Sequence, residues 1–357
     1  MLSFFSFFVL SSKAKKMVKV AINGFGRIGR SAFKVALTHH KDKVEIVAIN
    51  DLADTKTLAH LLKYDSNYGQ FWGEVDSSED AIWVDGREFK VFAKKDPTEL
   101  PWKDLDVDVV IESTGLFTSE DKAKTHLTAG AKRVVISAPA RGGNVGTYVL
   151  GVNTYKDGEE LGQSGIINNA SCTTNCISPV AAVMHAKFGV AKALMSTIHA
   201  YTQDQRLQDS PHDDLRRARA AQSSIIPTTT GAAIATTEVI PELKGLFDGI
   251  SFRVPISVGS VSDITFVLKT KTTKEEVNKA LSEASNNPIY QGIIAVTNEP
   301  IVSTDIVGRT ESSIVDLALT QVVDGDLVKV VAWYDNEWGY SNRLVEQVIA
   351  VGDQISG

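Results

Sequence analysis

The sequence is poor in cysteine, with two in 357 residues. So few thiols exclude a disulfide framework. Cys172 and Cys176 stand one helical turn apart, which is not the C-x-x-C spacing of a redox pair. Two thiols alone also fall short of the four ligands of a structural zinc, and no metal is expected. A reducing, cytoplasmic setting is the expectation. The chain lacks a basic excess as well: its net charge is −6 and its pI about 5.7. Proteins that hold nucleic acid through its phosphates carry surplus positive charge, so nucleic acid is not expected as the main partner. No apolar run reaches the roughly 20 residues that span a bilayer. The apolar run at residues 2–10 is followed, not preceded, by Lys13, Lys15 and Lys16, the reverse of a secretory signal. Residues 1–16 are therefore expected to be a disordered extension or a mis-called start ahead of Met17, and no membrane partner is expected. Internal repeats and low-complexity segments are missing too.

What is present suits a soluble globular chain of about two domains. Residues 18–23 form a strand-like run that enters Gly24-Phe25-Gly26-Arg27-Ile28-Gly29. A helical pattern follows through Leu37, then a second strand at 44–50 that ends on Asp51. Strand, G-x-G-x-x-G, helix, strand and acid make up the dinucleotide-binding fingerprint in its required context. Gly24 permits the tight turn, Gly26 lets a pyrophosphate approach the backbone, and Gly29 lets the helix pack on the sheet. Asp51 stands where a carboxylate accepts from ribose hydroxyls and repels a 2′-phosphate, which favours NAD over NADP. A helix at 54–63, a hairpin turning at Asp85-Gly86, strands at 108–115 and 133–137 and a helix at 122–129 continue the alternation. That pattern predicts a parallel sheet with the cofactor at the strand ends. There Thr114, Gly115 and Ser137 would face it, although Ser137 reads equally as a plain strand end.

The texture changes at Asn168-Asn169-Ala170-Ser171-Cys172-Thr173-Thr174-Asn175-Cys176. An apolar helix-like run at 177–188 follows, and a thiol at a helix start sees the positive end of its dipole, which favours thiolate. Cys172 is thus a candidate nucleophile. Beyond it, a β-like run at 191–198 ends at His199. A polar stretch at 203–224 carries Arg216, Arg217 and Arg219, readable as a solvated face, a subunit contact or an anion site. Pro227-Thr228-Thr229-Thr230-Gly231 precedes a helical run at 232–239 and suits an oxyanion. Strands at 252–255, 264–268 and 328–334, a helix at 274–284 capped by Thr273 and a last helix at 341–351 predict an α+β second domain with a mixed or antiparallel sheet. A thiolate beside a dinucleotide site points to aldehyde oxidation through a thiohemiacetal and a thioester. His199 is a candidate base, one of seven histidines. Arg253 would hold an anionic substituent.

From Met17 to its end the chain resembles phosphorylating glyceraldehyde-3-phosphate dehydrogenase. The resemblance rests on Asn23-Gly24-Phe25-Gly26-Arg27-Ile28-Gly29-Arg30, on the cysteine stretch, and on Trp333-Tyr334-Asp335-Asn336-Glu337-Trp338-Gly339-Tyr340. It implies an α/β fold: a Rossmann-type NAD-binding domain at 17–171, with the C-terminal helix at 335–357 packing back on it, and a catalytic domain at 172–334. It implies Cys172 as nucleophile with His199 as its base, and Arg27, Ile28, Asp51, Lys95, Ser137 and Asn336 as cofactor contacts. Asn336 would hold the nicotinamide carboxamide, with Tyr340 near the ring. Ser171, Thr173, Thr230 and Gly231 would bind inorganic phosphate. Thr202 and Arg253, with Arg217 nearby, would bind the phosphate of glyceraldehyde 3-phosphate. The family is a homotetramer, and residues 201–223 correspond to a loop lying against a neighbouring subunit's cofactor. Cys176 reads as a small buried residue.

The chain departs from the family pattern in two places. Ser210-Pro211 replaces a common Leu-Pro pair that helps exclude NADP, so NAD preference with some NADP tolerance is expected. Ile256-Ser257-Val258-Gly259-Ser260 differs from the usual continuation of Arg253-Val254-Pro255, for no reason visible in the residues. An erythrose 4-phosphate dehydrogenase, or a secondary RNA-binding or adhesin role, is the alternative.

Overall fold

The computed structural model describes residues 16–153 and 164–355. Of the extension expected at residues 1–16, residues 1–15 lie outside them. Two sheets dominate. The first runs through the strand Val18–Asn23 (β1), the helix Arg27–His39 (α1) and the strand Val44–Asn50 (β2), and then through the pieces that follow. β1 lies in the middle, parallel to β2 on one side and to Val109–Glu112 on the other. Chain order reverses direction at β1, and an open parallel sheet forms its ligand crevice at such a switch point, beyond the strands' carboxyl ends. The expected hairpin forms between Ala81–Val84 and Arg87–Phe92, antiparallel near one side of the sheet with Val75–Ser77 as the edge strand beyond it, and Asp85 and Gly86 are both at positive φ as its turn demands. The short strands Gly146–Thr147 and Ile166–Asn168 extend the other edge and escaped the sequence reading, because pieces of two and three residues carry no periodicity.

The second sheet is mixed. Val190–Ala200 runs parallel to Phe247–Val254 and antiparallel to Ser260–Leu268, which in turn pairs with Leu327–Tyr334. One face is covered by the helices Cys172–Phe188, Ala232–Val239 and Lys274–Ser285. The last of these opens on a full capping box between Thr273 and Glu276. The opposite face leaves Leu194 66% and Ile250 38% exposed. The final helix, Trp338–Ile355, starts earlier and ends later than its apolar pattern suggested. It packs on α1, and Tyr340, Leu344, Val345, Val348 and Val351 join the core of the first sheet. Gly352 makes this possible, since a Cβ there would lie 2.4 Å from the Val18 side chain. No described helix is long and apolar enough to cross a membrane.

Candidate active site

A cleft of about 1390 Å³ lies between the two sheets' functional ends. Its upper wall is the β1–α1 turn. Gly24 sits at φ +93, and a Cβ there would meet Thr114 N at 2.7 Å. A Cβ on Gly29 would meet Gly24 O at 2.1 Å, so this glycine lets α1 close on the turn. Gly26 differs, because nothing lies within 4 Å of its missing Cβ. The space there is open to the cleft, and the N-terminus of α1 carries no side-chain cap. Free helix N–H groups beside such a gap fit a pyrophosphate. At the end of β2, Asp51 accepts from Phe25 N (2.7 Å) and Ala53 N (3.0 Å), which holds its carboxylate beside the turn. Ile28, Lys95, Ser137 and Asn336 also line the cleft. These features fit a dinucleotide.

The guanidinium of Arg27 is engaged by protein. It donates to Glu337 through Nε and Nη2, to Asp65 Oδ1 at 2.9 Å, and lies over the Tyr68 ring. Burial alone would lower its pKa, but the Glu337 and Asp65 carboxylates outweigh that and raise it. Arg27 therefore ties the start of α1 to the residue after Asn336.

The lower wall carries the thiol. The backbone reaches it through Ala170, fully buried at φ +53, a left-handed conformation that non-glycine residues adopt only when their surroundings enforce it. Two side chains do so: Ala170 O accepts from Tyr340 Oη (3.1 Å), and Asn175 Nδ2 donates to Asn169 O and Ser171 O. Ser171 then caps the helix by accepting from Thr174 N at 3.0 Å. Cys172 is the first helical residue and half-buried. Its Sγ lies 3.4 Å from His199 Nε2, at the end of the Val190–Ala200 strand. His199 Nδ1 lies 2.6 Å from Ala200 O and 2.8 Å from Arg253 Nη1. Ala200 O can only accept and the guanidinium can only donate, so a neutral ring with its proton on Nδ1 serves the first contact and leaves the Nε2 lone pair facing sulfur.

Burial pushes the Cys172 thiol up, against the pull of Arg253 and of hydrogen bonds from Thr173. Burial, then the Arg253 charge, pushes His199 down to about 3. Taken singly, both groups are neutral at pH 7. A proton moving from Sγ to Nε2 places opposite charges side by side at a helix N-terminus, so thiol and imidazole titrate as a pair.

Of the expected anion-site residues, Ser171, Thr202 and Arg253 line the cleft with Cys172 and His199. Thr173, Arg217, Thr230 and Gly231 are not among its lining residues. Thr173 Oγ1 instead meets Tyr334 Oη at 2.8 Å, and Gly231 is the N-cap of Ala232–Val239, where Thr230 Oγ1 accepts from Ala232 N at 3.2 Å. Arg217 donates to Asp204 (2.6 Å) and to Thr228 Oγ1 (2.9 Å), while Thr202 Oγ1 donates to the same Asp204 carboxylate.

Sequence reasoning missed three residues here. Asp204 is a carboxylate among the expected anion-site side chains, and its only signal was its place two residues after Thr202. Tyr334, buried and with its pKa raised by burial, bridges Thr173 to Thr197 (2.8 Å) and packs against the His199 ring. Ser260 contacts both Ala200 N and Asn336. The last two act through long-range contacts that left no local pattern. Cys176 is fully buried near Ser313, outside the cleft.

A glycine-rich turn that fits a dinucleotide and a thiol–imidazole pair open on one cleft, an arrangement that suits a nicotinamide-dependent oxidoreductase. Residues 18–120 match the family described as glyceraldehyde 3-phosphate dehydrogenase, NAD binding domain, and residues 171–336 match its C-terminal domain. Glyceraldehyde-3-phosphate dehydrogenase 2 of Streptomyces avermitilis is 53% identical over 338 residues, covering 95% of this chain and 99% of that protein. The glyceraldehyde-3-phosphate dehydrogenase of Thermotoga maritima is 54% identical over 330 residues, covering 92% and 98%. That of Borreliella burgdorferi is 53% identical over 335 residues, covering 92% and 98%. The chain belongs to the glyceraldehyde-3-phosphate dehydrogenase family, whose N-terminal domain binds NAD.

Proposed function

We propose that the chain oxidises glyceraldehyde 3-phosphate with NAD and inorganic phosphate, giving 1,3-bisphosphoglycerate, in glycolysis and gluconeogenesis. The observation that carries this is the 3.4 Å contact of Cys172 Sγ with His199 Nε2 in the cleft that Gly26 and Asp51 also line. Bound NAD supplies the hydride acceptor. Cys172 Sγ passes its proton to His199 Nε2 and bonds to the aldehyde carbon, and the carbonyl oxygen takes up that proton. His199 Nε2 takes the hydroxyl proton of the resulting thiohemiacetal, which lets the carbonyl re-form as a thioester. Phosphate oxygen then attacks the thioester carbon, and sulfur leaves to regain its proton. Arg253 and Thr202 hold the substrate phosphate, with Arg217 and Asp204 beside them. Ser171, Thr173, Thr230 and Gly231 serve the attacking phosphate. Support comes from their placement at the N-termini of two helices that pack together, Cys172–Phe188 and Ala232–Val239.

Residues 17–171 with 335–357 form the cofactor unit, and 172–334 form the catalytic unit. Arg27, Ile28, Asp51, Lys95, Ser137, Asn336 and Tyr340 serve the cofactor. The Asp51 carboxylate favours NAD over NADP. Some NADP tolerance follows from exposed Ser210, which offers no apolar bulk against a 2′-phosphate. The apolar side chains open on the second sheet, Leu194 and Ile250, support assembly into a homotetramer. Residues 201–223 then face a neighbouring subunit. Cytoplasmic location fits an enzyme that needs Cys172 reduced.

Cys172→Ala tests the mechanism. NADH formation and thioester trapping are expected to vanish while NAD binding stays nearly intact. Retained turnover refutes it.

A further inference from the structure

The segment that departs from the family pattern, Ile256-Ser257-Val258-Gly259-Ser260, ends in a corner with a defined job. Gly259 adopts φ +90, and a Cβ there would lie 2.5 Å from Ser303 O, so a side chain would be strained and would clash. In this conformation Gly259 N donates to Asn336 Oδ1 at 3.1 Å. Ser260 is 1% exposed, and its hydroxyl is used in both directions. Ser260 Oγ accepts from Ala200 N at 3.2 Å and donates to the same Asn336 Oδ1 at 2.9 Å. The amide oxygen has two lone pairs, and both are taken. A flipped amide would set its NH₂ against the Gly259 N–H, which can only donate. Asn336, buried but lining the cleft, is thereby locked with Nδ2 as its free group. Ala200 directly follows His199, so one hydroxyl ties the base's strand end to Asn336 across the sheet.

We infer that Ser260, presented by Gly259, is a positioning residue that fixes Asn336 as a donor toward the carboxamide of the nicotinamide and holds that donor in register with His199. This rests on the reading of Asn336 as the carboxamide-binding residue. The ligand group selected is a carbonyl acceptor on the pyridine ring. Its capture sets which ring face meets the substrate carbon above Cys172.

The test compares Ser260→Ala, Asn336→Ala and the double variant in the full chain. Affinity for NAD is read without turnover by calorimetric titration. Facial selectivity is read from the stereochemistry of deuterium transfer out of C1-deuterated substrate. One lost hydrogen bond predicts NAD binding weaker by about 3- to 10-fold in Ser260→Ala. A detectable wrong-face product is expected as well. Because Ser260 acts through Asn336, the double variant should be no worse than Asn336→Ala. Wild-type affinity and selectivity in Ser260→Ala, or losses that multiply in the double variant, overturn the inference. If Asn336→Ala itself binds NAD and selects the face as wild type does, the underlying reading of Asn336 fails and the inference with it. Should Ser260→Ala not fold, Ser260→Cys keeps the size with a weaker donor and is held to the same outcomes.

Discussion

Arg253 Nη1 lies 2.8 Å from His199 Nδ1, on the ring edge away from the nitrogen that faces Cys172. The same cation disfavours a proton on His199 and favours its loss from Cys172. It therefore keeps the His199 ring free to accept a proton, though as a weaker base, and from the far ring edge it is not the thiolate's adjacent counter-charge. That part falls to the imidazole, once it has taken the proton.

His199→Asn removes the proton acceptor 3.4 Å from Sγ and leaves the burial that raises the thiol. The pH midpoint of Cys172 alkylation by iodoacetamide should move up relative to wild type by at least about one unit, equivalent to ~1.4 kcal/mol. At neutral pH the alkylation rate should fall by about tenfold, because only thiolate reacts. An unchanged rate profile would show that the imidazole does not support the thiolate.

The three glycines of the β1–α1 turn separate fold from ligand binding. Alanine at position 24 adds a Cβ 2.7 Å from backbone at φ +93, and alanine at 29 adds one 2.1 Å from Gly24 O. Strain and overlap of this kind should cost each variant more than about 2 kcal/mol, read as a fall in the urea midpoint. Gly26→Ala meets no protein atom within 4 Å. It should unfold like wild type, yet raise the KM for NAD about tenfold or more, by filling the approach of the pyrophosphate. A Gly26→Ala enzyme with normal KM would remove the cofactor from that gap.

The dinucleotide half was legible because its signals are local. Gly24, Gly26, Gly29 and Asp51 sit at fixed spacing within one strand–helix–strand unit, and each glycine meets the steric condition its place demands. The cysteine was legible for the same reason, as a thiol at a helix start. What stayed hidden was made by partners far apart in the chain. Ser260 meets Asn336 and Ala200 only after three strands pair, and Tyr334 reaches Thr173 and Thr197 from a strand more than a hundred residues away. Asp204 stands close in sequence to Thr202. Its reach to Arg217 depends on how the loop folds back, and the loop's polar composition does not encode that. The thiolate expectation was incomplete in a related way: helix position argues one direction, while burial, a property of the whole fold, argues the other.

Acid should loosen the fold through a histidine held neutral. His40 closes the C-terminal end of α1, and its Nδ1 is buried without a hydrogen-bond partner. Burial first, then the charges of Lys43, His39 and Arg343, pushes its pKa down to about 4, against about 6.5 in an unfolded chain. Between those values the unfolded chain binds the extra proton, so stability rises with pH across the window and is lost as pH falls from 6.5 toward 4. His40→Gln removes this contribution without touching the cleft. Urea midpoints at pH 7 and pH 5 should show wild type losing more stability than His40→Gln, by on the order of 1 kcal/mol after allowance for the partial exposure of His40. Equal losses in the two proteins would mean that His40 takes up its proton in the folded state as easily as in the unfolded one.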